Sequence, residues 1–153
     1  MFKVSGVLHS NASTDLVYGI LTDYTSLPRV FHNVDHCWTR TGEDGRLFIT
    51  QMVLWNFLIF HGSFETELEV FEYPEELKLS FNLLQSAFMN QFVGTWNIES
   101  ESSTGTTVIR HSLSVAPSVK PPQKIGDITK KIFEAQVKGI LRDLAAELSR
   151  ADP

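Results

Sequence analysis

The chain has 153 residues, which predicts one domain spanning residues 1–153 with a substantial buried core. Its formal net charge is −5 and its largest basic cluster is Lys130–Lys131, so electrostatics disfavours both nucleic acid and anionic membrane as partners. The single cysteine, Cys37, excludes an internal disulfide framework and fits a reducing compartment, either the cytoplasm or the interior of an organelle.

The N-terminal part of the chain predicts a strand followed by two short helices. Phe2–His9 has the pattern of a first strand, and it begins so close to the first residue that no signal-peptide pattern precedes it. A capping residue, Asn11 or Ser13, predicts a helix over Thr14–Thr22. Ser26–Pro28 then begins a second short helix, because proline is tolerated in a first helical turn.

The middle of the chain predicts a series of strands. Val34–Thr41 ends at the turn signal Glu43–Gly45, and Arg46–Phe60 follows as a long strand. Its apolar run, Met52–Phe60, is far shorter than the roughly 20 residues of a transmembrane helix, so no transmembrane segment is predicted. His61–Glu72 shows the clearest alternation of apolar and polar residues in the chain.

A period of two assigns one face of each later strand to the protein interior. The strands His61–Glu72 and Leu77–Leu83 place inward Phe64, Thr66, Leu68, Val70, Leu77, Leu79 and Phe81. Asn90–Pro117 predicts two more strands joined by a Gly-Thr turn, with inward Phe92, Gly94, Trp96, Ile98, Ile109, His111, Leu113 and Val115. One dry face and one wet face are typical of an antiparallel sheet that is covered on one side only.

A long helix is predicted from Pro121–Pro122 to about Arg150. Its expected apolar stripe is Ile125, Ile128, Ile132, Gln136, Ile140, Leu144 and Leu148, with the polar Gln136 interrupting it. The predicted fold class is therefore α+β, with a seven-stranded antiparallel sheet gripping a long C-terminal helix and two short helices after the first strand.

Three segments of the chain resemble the START-like helix-grip superfamily (SRPBCC), and within it the polyketide cyclase/dehydrase and lipid-transport branch, which includes the coenzyme Q-binding START-like proteins. The segments are Val17–Val34, Phe92–Ser100 with its Gly-x-Trp strand, and Gly105–Pro117, which runs into the final helix. The resemblance covers nearly the whole chain. It implies a cavity between sheet and helix for a hydrophobic ligand, in a superfamily of lipid carriers, quinone binders, aromatase/cyclases and protein-binding modules.

We expect this cavity to bind or carry a hydrophobic small molecule such as a lipid, an isoprenoid or a quinone, with no cofactor. The hydrophobic effect would supply affinity, and one or two polar groups would set the orientation of the ligand. The expected ligand-binding residues are Phe64, Leu68, Leu79, Phe81, Phe92, Trp96, His111, Ile128, Ile132 and Gln136.

Among these residues, His111 is the candidate for chemistry. It shares the inward face with Ile109 and Leu113, and an inward histidine can orient a ligand carbonyl or act as an acid or base. A histidine that is simply satisfied within the core is the alternative. A second function thus stays open, a polyketide aromatase/cyclase-type enzyme that uses His111, although the few inward polar groups favour a binder. A third is a protein-interaction module whose own side chains fill the cavity.

Two further features concern metal and membrane. His32 and His36 have a four-residue spacing found in some zinc sites, but this spacing joins two ligands on one face only inside a helix, and a strand is predicted here. We therefore predict no metal site. The segment Leu84–Asn90 carries apolar side chains between two strands, and Phe88 and Met89 are expected to make transient membrane contact during ligand exchange.

Overall fold

The computed structural model describes residues 2–57, 60–86, 89–101, 103–117 and 123–151. It confirms the α+β fold, with one seven-stranded antiparallel sheet, two short helices after the first strand and a long C-terminal helix. The strands are β1 (Phe2–Ser10), β2 (Val34–Thr41), β3 (Leu47–Phe57), β4 (Phe60–Tyr73), β5 (Lys78–Ser86), β6 (Met89–Glu101) and β7 (Thr106–Pro117). The helices are α1 (Thr14–Leu21), α2 (Leu27–Val30) and α3 (Gln123–Ala151), with a 3-10 turn, Tyr24–Ser26, between the first two.

The strand order in the sheet is β1-β7-β6-β5-β4-β3-β2, so consecutive strands are neighbours except for β1, which pairs with β7. The predicted β6–β7 hairpin is present, and its register places Trp96 opposite His111 and Gly94 opposite Leu113. Gly105 closes the turn at a φ of 69°, a left-handed conformation that favours glycine. This register brings the inward side chains of the two strands together on the concave face of the sheet.

The two short helices cover one end of that concave face. The Ser13 hydroxyl accepts a hydrogen bond from the Leu16 amide at 3.1 Å and caps α1, so Ser13 rather than Asn11 is the cap. Pro28 lies in the first turn of α2, as predicted. The helices bury the apolar side chains Val17, Leu21, Tyr24, Leu27 and Val30 against the core.

The long helix α3 packs most tightly against β1. Among residues 130–151, whose side chains are described, the buried apolar residues are Val137, Leu141, Leu144 and Leu148. The predicted stripe is therefore correct at Leu144 and Leu148 and misses Val137 and Leu141, while the side chains of Ile125 and Ile128 lie outside the described part. Val137 and Leu141 lie next to Gly6 of β1, where an added Cβ would stand 2.6 Å from the Leu141 Cδ1 atom. The buried apolar residues are spaced four, three and four apart. The predicted row advances mostly in steps of four, so it drifts around the helix and passes through Gln136 and Ile140, which line the cavity. Within the described residues, no helix is both long and apolar enough to cross a membrane.

Candidate functional site: a polar-edged apolar cavity

A cavity of about 110 Å³ lies between the concave face of the sheet and the helices. Its apolar wall from the sheet is formed by Val53, Leu68, Phe81, Phe92, Trp96 and Leu113. The helices contribute Leu21, Leu27, Phe133 and Ile140, and Phe31 follows α2. Five polar side chains also line it, namely Asn33, Gln51, Thr66, His111 and Gln136. The site is thus mostly apolar with a few polar groups, which is typical of small-molecule sites.

The structure brings six of the ten predicted ligand-binding residues to this cavity: Leu68, Phe81, Phe92, Trp96, His111 and Gln136. Leu79 is fully buried in the core, and Ile132 is half-buried on α3. Neither of these two lines the cavity. The side chains of Phe64 and Ile128 lie outside the described part of the structure, as do Phe88 and the Met89 side chain, so the expected membrane contact stays a prediction.

Sequence reasoning missed the contribution of the chain between α1 and β2. Leu27 and Phe31 are four residues apart, a helical spacing that could have indicated a shared face. Both are buried and line the cavity, and the Phe31 ring stacks on Trp96 with 6.4 Å between ring centroids. The polar Asn33 follows them and carried no pattern that would have assigned it to the interior.

His111 is the ionisable residue among the described residues that line the cavity. Its side chain is buried, and its Nδ1 atom lies 2.9 Å from the Thr95 carbonyl oxygen. Because a carbonyl oxygen can only accept, Nδ1 carries the proton and donates it. The ring also lies nearly parallel to Trp96, with 3.9 Å between centroids and 19° between planes. These two contacts fix the orientation of the imidazole.

Burial lowers the pKa of His111 to about 4. The hydrogen bond to Thr95 raises the pKa but offsets the effect of burial only in part. The imidazole is therefore neutral at physiological pH. With Nδ1 protonated, Nε2 is an acceptor, and it has no hydrogen-bond partner among the described residues. His111 thus offers the cavity a fixed, uncharged acceptor.

Two other polar groups of the cavity have no partner. The Asn33 Oδ1 and Thr66 Oγ1 atoms are buried and make no hydrogen bond within the described structure. Gln51 lies directly opposite Thr66 in the β3–β4 register, and its Nε2 atom is 4.0 Å from the Cys37 Sγ atom. Burial raises the pKa of the Cys37 thiol to about 11, so this cysteine is an unreactive, protonated neighbour.

A second cavity of about 270 Å³ adjoins the first and shares Asn33, Gln136 and Ile140 with it. It lies between α3 and the segment that leads into β2. His32 bridges the two elements, since its backbone N–H donates to the Asp143 Oδ2 atom at 3.0 Å and its Nδ1 atom lies 2.9 Å from Oδ1. The shared lining makes this second cavity the outer part of the same site.

The histidines of the proposed zinc spacing have separate partners. His32 contacts Asp143, while His36 lies 2.8 Å from Asp35 and stacks on Trp38. Over the described ranges, no group of three or more His, Cys, Asp or Glu side chains is arranged to hold a metal ion.

Comparison with known proteins places this architecture in a family. The sequence pattern of the family described as polyketide cyclase / dehydrase and lipid transport matches residues 1–149. A search of curated proteins finds no match.

Several solved structures share the fold at low sequence identity. A START superfamily protein from Mycobacterium smegmatis is similar with a TM-score of 0.83 and 19% identity over 99% of both chains. A protein from Thermus thermophilus has a TM-score of 0.82 and 16% identity, again over 99% of both chains. The aromatase/cyclase Zhui from Streptomyces sp. R1128 has a TM-score of 0.78 and 13% identity, over 99% of this chain and 95% of the other.

Proposed function

The chain belongs to the polyketide cyclase / dehydrase and lipid transport family, and on that premise we propose that it binds or carries a hydrophobic small molecule in the cavity between the sheet and α3. The observation that supports this most strongly is a buried, mostly apolar cavity that contains polar groups without protein partners. A core that served stability alone would gain by filling this space and pairing or replacing these groups.

The cavity volume limits what fits without rearrangement. At about 110 Å³ it is smaller than the roughly 300–1,000 Å³ of a pocket for a drug-sized ligand. We therefore propose that it holds one ring or one end of a longer molecule, while the rest extends into the adjoining cavity between Asn33 and α3. The contacts between His32 and Asp143 close this route on its outer side.

An aromatase/cyclase-type enzyme is the second candidate, and a buried histidine beside the cavity is the observation that favours it. Efficient general acid–base catalysis needs a pKa near the working pH. The pKa of His111 is lowered to about 4 by burial, so its neutral form is a weak base and its protonated form is scarce. This favours a role for His111 in orienting a bound molecule over a role in proton transfer.

The first test is native mass spectrometry of freshly purified protein, together with solvent extraction and identification of anything released. We expect a stoichiometric apolar passenger. The variant Gly94→Leu should lose it, because position 94 lines the cavity and an added Cβ would already lie 3.3 Å from Leu113 and Phe92 side-chain atoms. Val93→Leu is the matched control, since the neighbouring residue lies on the opposite face and is exposed.

Two outcomes would contradict the proposal. One is a passenger that Gly94→Leu retains as fully as Val93→Leu does. The other is an empty wild-type protein that also shows no binding of toluene, a simple apolar ring, by titration calorimetry. An empty wild-type protein that binds toluene, with Gly94→Leu abolishing the binding, would instead indicate an exchangeable ligand and support the proposal.

A further inference from the structure

The polar groups of the cavity indicate the chemical class of the ligand that it binds. This inference rests on the proposed function. Asn33, Thr66 and His111 line one cavity. The Asn33 Oδ1 and Thr66 Oγ1 atoms are buried without a hydrogen-bond partner in the described structure, and the ring of His111 bonds the described residues through Nδ1 only. A buried polar atom without a hydrogen bond is destabilising, and such atoms are rare in native proteins. Two such atoms in one cavity, beside a histidine whose Nε2 is free to accept, indicate that a bound molecule supplies the missing partners.

The three atoms differ in what they can bond. An amide oxygen and an unprotonated imidazole nitrogen only accept, whereas a threonine hydroxyl can either donate or accept. A ligand ketone would satisfy Thr66 but would leave Asn33 Oδ1 and His111 Nε2 without a donor. A ligand hydroxyl can donate to any one of the three.

His111 is the best placed of the three to discriminate between ligands. Its ring is held on one side by the hydrogen bond from Nδ1 to Thr95 and on its face by the stack with Trp96. The acceptor is therefore preorganised, and a donor that reaches it loses little entropy in ordering the site. No charged side chain lines the cavity within the described residues, so a neutral donor is favoured over an ammonium group.

The size of the cavity suggests the rest of the ligand. An engineered apolar cavity of about 150 Å³ binds benzene, and the volume here, about 110 Å³, is of the same order. The walls include the rings of Phe31, Phe81, Phe92 and Trp96, which pack well against another aromatic ring.

We propose that the cavity selects a neutral aromatic ring that bears a hydroxyl group, a phenol, and that it discriminates against rings that only accept hydrogen bonds, such as quinones. The hydroxyl donates its one proton to a single unpartnered acceptor of the cavity, His111 Nε2 foremost, and the ring occupies the apolar space. Of the ligand classes expected from the sequence, this excludes an oxidised quinone and retains its reduced, dihydroxylated form.

Titration calorimetry with three probes of similar size tests this proposal: 4-methylphenol, its methyl ether 4-methylanisole, and toluene. The methyl ether keeps the oxygen acceptor but lacks the donor, and toluene lacks both. We expect 4-methylphenol to bind about tenfold more tightly than either. Any passenger is first removed by solvent extraction and refolding, and the extracted protein is checked by mass spectrometry.

Three variants locate the acceptor. His111→Phe, Thr66→Val and Asn33→Leu each remove one unpartnered atom, and the largest loss of the preference for 4-methylphenol is expected in His111→Phe. Ser112→Ala is the matched control, because Ser112 neighbours His111 on β7 but bonds Thr95 Oγ1 on the opposite face. Should His111→Phe fail to fold, Thr66→Val and Asn33→Leu still report on the acceptors.

The outcomes separate this inference from the proposed function. Equal binding of toluene and 4-methylphenol would overturn the phenol inference and leave the apolar-ligand function standing. A preference for 4-methylphenol that survives in all three variants would also overturn it. Failure of all three probes to bind would count against both proposals.

Discussion

The surroundings of two glycines on the concave face of the sheet show that the two halves of this molecule are packed differently. An added Cβ at Gly6 of β1 would lie 2.6 Å from the Leu141 Cδ1 atom and 3.1 Å from Val137 Cγ1, so α3 touches the sheet there with no room to spare. The atoms nearest to an added Cβ at Gly94 of β6 would be side-chain atoms of Leu113 and Phe92, at 3.3 Å. The same helix and sheet thus enclose a tightly packed half and a half that holds a cavity.

The packed half contributes stability, and the cavity half carries the features of a binding site. Because α3 lies against β1 and β7 at one edge of the sheet, the cavity remains between the helix and the middle strands. Side chains fill this space only in part. Substitutions in each half test this difference in packing.

The largest effect is expected from truncating the packed face of α3. Leu144 is fully buried, so Leu144→Ala should lower the free energy of unfolding by about 2–5 kcal/mol. Ile140 is half-buried and lines the cavity, so Ile140→Ala should cost only about 1–2 kcal/mol, because less buried area is lost. Urea denaturation measures both. Equal losses would mean that the two faces of the helix are packed alike.

Acid should act on the cavity half through His111. The folded-state pKa is lowered from 6.5 to about 4, so between these values the unfolded chain binds a proton that the folded protein does not. The stability contributed by the neutral imidazole is therefore full above pH 6.5 and falls as the pH drops toward 4. The total loss is about 3 kcal/mol.

Denaturant titrations from about pH 7 to about pH 4.5 on the wild type and on His111→Gln isolate this contribution. The variant has no imidazole at this position, so its stability should vary less with pH across the window. The pKa values of Glu69 and Glu147 are also lowered, chiefly by Arg46 and Arg150 respectively. Protonation of these two carboxylates changes stability mainly below this pH window. Identical pH profiles for the two proteins would show that His111 is not held neutral.

Adding one methyl group distinguishes the two glycines directly. Gly6→Ala forces Leu141 and Val137 to move within a filled region, at a cost of about 1–3 kcal/mol. Gly94→Ala should change stability by less than about 1 kcal/mol, because the Leu113 and Phe92 side chains, 3.3 Å from the added Cβ, line the cavity and can shift toward it. Thermal unfolding followed by circular dichroism reports both changes. A Gly94→Ala loss as large as that of Gly6→Ala would indicate that no space exists beside β6.

The sequence predicted the sheet well because alternation is a local property that needs no knowledge of tertiary contacts. The inward assignments of Leu68, Phe81, Phe92, Trp96 and His111 all followed from a period of two, and the structure places these residues on the cavity. Alternation does not distinguish a residue that lines the cavity from one that is packed in the core. Leu79 has the same alternation as Phe81, yet it is fully buried away from the cavity.

The remainder of the site depends on how separate elements meet. Asn33 lies in the segment before β2, and Gln136 lies on α3. Both line the cavity although they are far apart in the sequence. No periodic pattern marks such a residue. On α3 itself, Gln136 is predictable because a polar residue interrupts an apolar stripe. Val137 and Leu141 escape the prediction because a row in steps of four drifts around the helix and passes through Gln136 and Ile140 instead.

A substitution at Thr66 is the most specific to the cavity, and it should reverse the usual sign of a core substitution. The Thr66 hydroxyl is buried without a partner, so Thr66→Val should raise the free energy of unfolding of the empty protein by about 1 kcal/mol. Thr107→Val is the matched control. Thr107 is as deeply buried, but its hydroxyl donates to the Ala12 carbonyl at 2.6 Å, so the same substitution should destabilise by about 1 kcal/mol.

Opposite signs for one chemical change at two equally buried threonines would show that the cavity half retains a polar group at the expense of stability. Saturating 4-methylphenol should then stabilise the wild type more than Thr66→Val, because only the wild type can bond the probe at this position. If Thr66→Val instead destabilised the empty protein as Thr107→Val does, the hydroxyl would already have a partner. The case for a ligand that completes the cavity would then rest on Asn33 and His111 alone.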